Sequence, residues 1–237
     1  MSIDQDSVKR FWDERAARYV ELPIESLANL EQDADNLALK IRLETNKVFE
    51  YLPNLTGKAV LDLGAGAGQW AFRFCERGAQ VTAVEYSEQF AKVGEREAQR
   101  RGHDSVRFII SPAEDYDSDQ KFDVVFISGL LIYLNDDQLI QLVGKLSEFC
   151  KPGAKIILRD GTGVGSRYEL NASYSEHLQA AYSAIYRTAD EYISLFDQNG
   201  LHVVRHDHVF EDGCPLNKYP ETRLRIYEFE RHADASS

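Results

Sequence analysis

The chain has 237 residues, 43% hydrophobic and 28% charged, enough for one large core and too few for a second full domain. Its formal net charge of -12 sets a repelling field against a phosphate backbone or an anionic lipid surface. No basic run offsets that field, so neither a nucleic-acid nor a membrane partner is expected. Cys75, Cys150 and Cys214 are widely spaced and read as reduced, structural thiols rather than a disulfide frame or a ligand set. MSIDQDSVKRFW lacks the apolar core of a leader, and no apolar run reaches about 18 residues, so cytoplasmic residence is the expectation.

Residues 1–56 read as an N-terminal helical cap. Within it Leu37, Ile41, Val48 and Leu52 recur at helical spacing. Trp12 and Tyr19, in FWDERAARY, suit either packing onto a sheet or closure over a ligand. Apolar runs then predict strands at 59–63, 80–84, 106–110, 122–127, 154–159, 201–210 and 222–230, with helical patterns in the first five intervals. That alternation predicts an α/β fold.

The stretch Val60–Glu85, VLDLGAGAGQWAFRFCERGAQVTAVE, reads as strand, glycine turn, helix and a second strand ending in a carboxylate. An α/β domain holds a nucleotide-like cofactor with this layout. Gly64, Gly66 and Gly68 follow G-x-G-x-G, whereas the dinucleotide fingerprint needs its third glycine where Gln69 stands. Pyrophosphate binding is therefore the weaker reading.

With Asp62 ahead of the turn and Glu85 at the second strand tip, the segment resembles the first motif of class I S-adenosylmethionine-dependent methyltransferases. The resemblance implies a Rossmann-like seven-stranded sheet with helices on both faces, in order 3-2-1-4-5-7-6 with one antiparallel strand. It would span 57–231, followed by a polar tail at 232–237. It implies S-adenosyl-L-methionine as cofactor, cradled by Asp62, Gly64, Ala65, Gly66 and Gly68, with Glu85 on the ribose hydroxyls and Tyr86 beside it. Ala113 and Glu114, in SPAEDYD, take the adenine-edge position, although that run also reads as a solvated acidic turn. Ser128 and Gly129 pass beneath the cofactor, and Tyr19 lies near it. Tyr133 lines the acceptor wall or packs as core, and Asn135 or Asp136 caps the following helix.

Acceptor recognition falls to a lid at 161–187. GTGVGSR lacks the G-K-S/T ending of an ATP loop. Arg167 and Arg187 have the planar forks to grip a carboxylate or phosphate, or pair internally with Glu169, Asp190 or Glu191. Tyr174, Tyr182 and Tyr186 share a face if the segment is helical, and with Tyr168 they complete the expected acceptor-binding set. Thr188 and Glu191 make a capping box that starts a helix running to Asn199. For a general base the candidates are His177, then His208, with Asp160 as the carboxylate alternative. His206 and His208 alternate with no third ligand, so no metal is expected. The activity implied is methyl transfer to oxygen or nitrogen of a small-molecule acceptor. Protein N-methylation, NAD-dependent oxidoreduction and cofactor sensing are the alternatives, and acceptor identity and oligomeric state stay open.

Overall fold

In the computed structural model, which describes residues 2–17, 24–27, 29–31, 33–175 and 180–231, three helices precede the sheet: α1 (Gln5–Ala17), α2 (Ile24–Leu27) and α3 (Ala34–Tyr51). Helix α3 starts where the Asp33 side chain accepts from the Asn36 amide, satisfying one orphan donor of the first turn. It ends ahead of Pro53, which disfavours helical backbone before it.

Strands and helices then follow: β1 (Ala59–Leu63), α4 (Gln69–Cys75), β2 (Gln80–Glu85), α5 (Glu88–Arg101), β3 (Val106–Ile110), β4 (Phe122–Ser128), α6 (Asp136–Lys145) and β5 (Cys150–Gly163), with turns and no helix between β3 and β4, where the sequence suggested a helical pattern. A hairpin, β6 (Tyr168–Ser175) and β7 (Ala180–Tyr186), precedes α7 (Ala189–Gln198), β8 (Leu201–His208) and β9 (Thr222–Arg231). The main sheet has the order β3-β2-β1-β4-β5-β9-β8. Strands β1 to β5 pair in parallel, and β9 runs antiparallel to both β5 and β8. Counting only sheet strands, this is the arrangement that the sequence resemblance implies.

The inner strands are apolar throughout because helices cover both faces. One core joins Leu61, Val125, Ile127, Ile156 and Leu158 to α6 and α7. The opposite core joins Val60, Phe126, Ile157 and Ile226 to α3 and α4 through Val48, Trp70 and Phe74. The expected capping box of Thr188 with Glu191 forms on α7, and of the two residues offered as the α6 cap it is Asn135 that serves, in a capping box with Gln138. All three cysteines are free thiols. Among the described residues no helix is long and apolar enough to cross a membrane, and no cluster of metal-ligating side chains occurs.

The segment around Tyr174, Tyr182 and Tyr186, for which a helix was the condition of a shared face, is the β6–β7 hairpin. Tyr168 pairs with Tyr186 and Leu170 with Ala184, and the register slips between Leu170 and Ser173. At that bulge Ala172 takes φ 46, a conformation that non-glycine residues seldom adopt, and its amide donates to Ser183 Oγ at 2.9 Å. A spacing of four residues places side chains on one face of a strand as well as of a helix, so the tyrosines did not discriminate between them.

Candidate active site

The C-terminal ends of the parallel strands open into a cleft of about 620 Å³, the position where open α/β sheets bind ligands. Its floor is the β1–α4 turn. Gly64 holds φ +73, and a Cβ there would meet Leu130 at 3.0 Å; only glycine lets this turn pass so close beneath the β4 exit. The Gly64 and Ala65 amides both donate to the Val84 carbonyl, at 2.9 and 3.0 Å, which ties the turn to β2. That tie carries the Gly66 amide to Glu85 Oε2 at 2.9 Å, while Glu85 Oε1 accepts from the Ser87 amide at 2.8 Å.

Two buried carboxylates result. Burial pushes Glu85 up to about 7, against the pull of its amide donors. Burial, and then the charge of Glu85, push Asp62 up to about 8. Asp62 Oδ2 is buried with no hydrogen-bond partner, an arrangement that is unfavourable until a donor arrives. Each Glu85 oxygen accepts one amide and keeps a second lone pair, so the carboxylate can still accept from two hydroxyls. Tyr86 also lines the cleft with its hydroxyl buried and unpartnered. Ala113 and Glu114 lie on the same rim, Glu114 being steadied by Gln138 Nε2 at 2.6 Å. Helix α1 locks onto this end, because Asp13 accepts from Ser87 Oγ.

Past β4, Ser128 and Gly129 line the cleft, and a tight turn at Leu131–Tyr133 follows. Asp160, fully buried on β5, holds that turn: its Oδ2 accepts from Leu131 N at 2.8 Å and Ile132 N at 3.3 Å, and its Oδ1 from Gly161 N at 2.8 Å. Burial raises its pKa to about 6. With three of its four lone pairs taken by amides of the turn and of Gly161, Asp160 acts as a clasp rather than as the free base that the sequence allowed.

The far wall is aromatic. The Tyr133 and Tyr182 hydroxyls meet at 2.9 Å, and Tyr186 lines the same wall. Burial raises the pKa of all three phenols, so they stay neutral donors and acceptors. Tyr186 crosses the backbone of Gly161, where a Cβ would lie 2.7 Å from its ring. Trp12 contacts Tyr133 edge-on at 5.4 Å, and Tyr168 and Tyr174 complete the wall.

Three further sequence candidates sit away from the cleft. Arg187, 2% exposed, donates to Asp136 Oδ1 and to the carbonyls of Leu131 and Leu134 at 2.9 and 2.8 Å, stapling the β4–α6 loop. Arg167 binds Asp136, Glu169 and Glu191. Neither arginine is left to grip an acceptor: Arg167 takes Glu169 and Glu191, two of the internal partners the sequence offered, and both arginines share Asp136, which it did not indicate. His208 lines a separate cavity of about 260 Å³ with Thr162, Arg223 and Arg225, and burial followed by the charge of Arg225 lowers its pKa. Tyr19 and His177 lie outside the described residues. In turn, the cleft recruits Lys40, Glu44, Trp70, Arg73 and Arg159, which the sequence reading passed over. A charge at the end of the apolar run KIILRD was the one available signal.

A parallel sheet with a reversed edge, a glycine turn and an acid at the tip of β2 defines a Rossmann-like methyltransferase fold. A family model described as a methyltransferase domain matches residues 60–153. Phosphoethanolamine N-methyltransferase 1 of Triticum aestivum is 29% identical over 161 residues, 67% of this chain and 31% of the relative. Ubiquinone biosynthesis O-methyltransferase of Idiomarina loihiensis is 38% identical over 111 residues, 46% of this chain and 44% of the relative. The chain thus spans about a third of the length of the phosphoethanolamine relatives. Burkholderia thailandensis 1,6-didemethyltoxoflavin-N1-methyltransferase, solved with its namesake ligand and S-adenosylhomocysteine, superposes with TM-score 0.70 at 18% identity, covering 98% of this chain and 92% of that one. Residues 60–153 thus match a methyltransferase domain, and the chain as a whole shares the fold of the S-adenosylmethionine-dependent methyltransferases.

Proposed function

We propose that the protein transfers a methyl group from S-adenosyl-L-methionine to an oxygen or nitrogen of a small-molecule acceptor. The observation that carries this reading is a pair of buried carboxylates, Asp62 with an unpartnered Oδ2 and Glu85 held by two amides, around a glycine turn at one end of an aromatic-walled cleft. The donor set fits the cofactor: Glu85 has lone pairs for the ribose hydroxyls, Asp62 Oδ2 needs an N–H donor of the kind an α-ammonium supplies, and Gly64 leaves the turn bare. The relatives named above include both an N-methyltransferase and an O-methyltransferase.

The bound cofactor supplies an activated methyl group on a sulfonium. Asp62, Glu85 and the turn at Gly64 would hold it and offer that methyl carbon to an acceptor lone pair, the bonding electrons staying with sulfur and any acceptor proton leaving to water or a base. Protein residues contribute orientation and exclusion of water. Trp12, Tyr133 and Tyr186 form the wall against which an acceptor lies, and the neutral Tyr133–Tyr182 pair fixes its orientation through hydroxyl donors. The test is turnover with labelled S-adenosylmethionine across panels of small amines, phenols and carboxylated heterocycles, read by mass spectrometry. Labelled product from any panel supports the reading; methylation confined to protein substrates would replace it.

A further inference from the structure

One end of the cleft carries more positive charge than its own acids neutralise. Lys40 and Glu44 of α3, Trp70 and Arg73 of α4, and Arg159 of β5 meet there. Arg159, 9% exposed, binds Glu44 Oε2 through Nη2 at 2.6 Å and Ser128 Oγ through Nη1 at 2.7 Å. Its Nε is buried without a partner, as is Glu44 Oε1. Lys40 Nζ donates to Asn29 at 3.0 Å and stands 3.9 Å from Glu44. Arg73 has no hydrogen-bond or ion-pair partner among the described residues; its guanidinium lies 4.8 Å from the Trp70 ring centre, and that of Arg159 lies 5.6 Å from the same ring.

The neighbouring acids are already committed. Glu31 pairs with Lys218 at 2.6 Å and Glu25 with Arg101 at 3.1 Å. Three cations therefore face one carboxylate, Glu44, in a place where burial lowers the pKa of both Lys40 and Arg73. One buried and two half-buried cations short of counter-charge are unfavourable, and a cluster with free guanidinium donors is suited to an oxyanion bound through planar forks.

The position identifies whose oxyanion it is. Along the sheet, Glu114 follows β3, Glu85 ends β2 and the glycine turn follows β1, so the cofactor cradle covers the β3-β2-β1 half. Arg159 stands on β5, beyond β4, roofed by Leu216, Lys218 and Tyr219 from the β8–β9 connection. Successive β-strand residues point to opposite faces. Arg159 accordingly turns toward Trp70 and α3, and Asp160 toward the turn that presents Tyr133. The tip of β5 divides the acceptor half of the cleft into a cationic side and an aromatic side.

We infer that the acceptor carries a carboxylate or phosphate group, and that Arg73 and Arg159, with Lys40, anchor it at the β4–β5 end of the cleft. The inference rests on the methyltransferase reading, because it assigns the other half of the cleft to the cofactor. The acceptor is then an anion whose nucleophile lies on an unsaturated or flexible portion turned toward Tyr133 and Tyr186.

The full chain, saturated with S-adenosylhomocysteine, is titrated calorimetrically with inorganic phosphate and, separately, with acetate. One anion per chain is expected. Arg73→Gln should weaken it at least tenfold while changing S-adenosylhomocysteine affinity less than twofold, and Arg73→Lys should restore part of the loss. Because Arg73 has no hydrogen-bond or ion-pair partner among the described residues and only stacks on Trp70, the variant is expected to melt close to the wild type; Arg159→Gln is the second probe. No anion binding to the loaded wild type, or equal binding by Arg73→Gln, would overturn the inference. So would exclusion of phosphate by S-adenosylhomocysteine together with a matching loss of its affinity in Arg73→Gln, since the cations would then serve the cofactor's own carboxylate. Failure of S-adenosylhomocysteine itself to bind would remove the methyltransferase reading, a result distinct from loss of the anion alone.

Discussion

Replacing Glu85 by glutamine isolates the charge at the tip of β2 with little change of shape. In the native chain both carboxylate oxygens accept backbone amides, from Gly66 at 2.9 Å and Ser87 at 2.8 Å. Glutamine retains one acceptor and turns an NH2 toward the other amide, and it offers ligand hydroxyls one acceptor where two stood. Losing a single hydrogen bond to a charged group is worth about 1.5–3 kcal/mol, or roughly a 10- to 150-fold weaker Kd for S-adenosylhomocysteine. The variant should also change the pH profile. Glu85 and Asp62 titrate as a pair with folded values of about 7 and about 8, and coupled groups share their steps. Folded values raised above the unfolded ones mean that the free protein takes up protons on folding as pH falls from about 8 toward 4. These two groups therefore stabilise the free chain most at low pH, and that contribution is lost as pH rises through their folded values. A ligand donating to the ionised pair shows the opposite trend, its affinity rising between about pH 6 and 8, and Glu85→Gln should flatten that rise. Calorimetry over this pH range, with circular dichroism to verify folding, reads both quantities. An unchanged Kd and an unchanged slope would refute the role given to Glu85.

Arg187→Met should lower stability by about 2–4 kcal/mol in denaturant unfolding, because the buried carbonyls of Leu131 and Leu134 lose their donor; loss of acceptor binding at full stability would instead return this residue to the site. Tyr182→Phe removes the hydroxyl that meets Tyr133 and should reduce stability by about 0.5–1.5 kcal/mol. Once an acceptor is known, its KM should rise in this variant with S-adenosylhomocysteine affinity unchanged, and equal losses in both would mark general packing.

The sheet was legible because its evidence is local. Continuous apolar runs such as VVFI marked the buried parallel strands, Asn135 and Thr188 announced helix starts, and the glycines with Glu85 marked the turn that the structure places under the cleft. What stayed hidden depends on distant pairing. Asp136 claims Arg187 from 51 positions away, so a loop arginine that looked available is spent inside. Lys40, Arg73 and Arg159 come from three separate elements, and only the packing of α3 and α4 on one sheet face assembles them. His208 follows the alternation of an edge strand, yet which cavity it borders is decided by β9 crossing back beside β5. The hairpin escaped because Tyr182 and Tyr186 satisfy both periodicities, and the partner strand that settles the matter carries Asn171 and Ala172 at a bulge.

The central claim is that the glycine turn, Asp62 and Glu85 hold S-adenosylmethionine. Parallel calorimetric titrations of the full chain with S-adenosylmethionine, S-adenosylhomocysteine and NAD test it most directly. The account predicts saturable, one-to-one binding of the first two and none of NAD; binding of NAD alone would contradict it and reassign the cleft to redox chemistry.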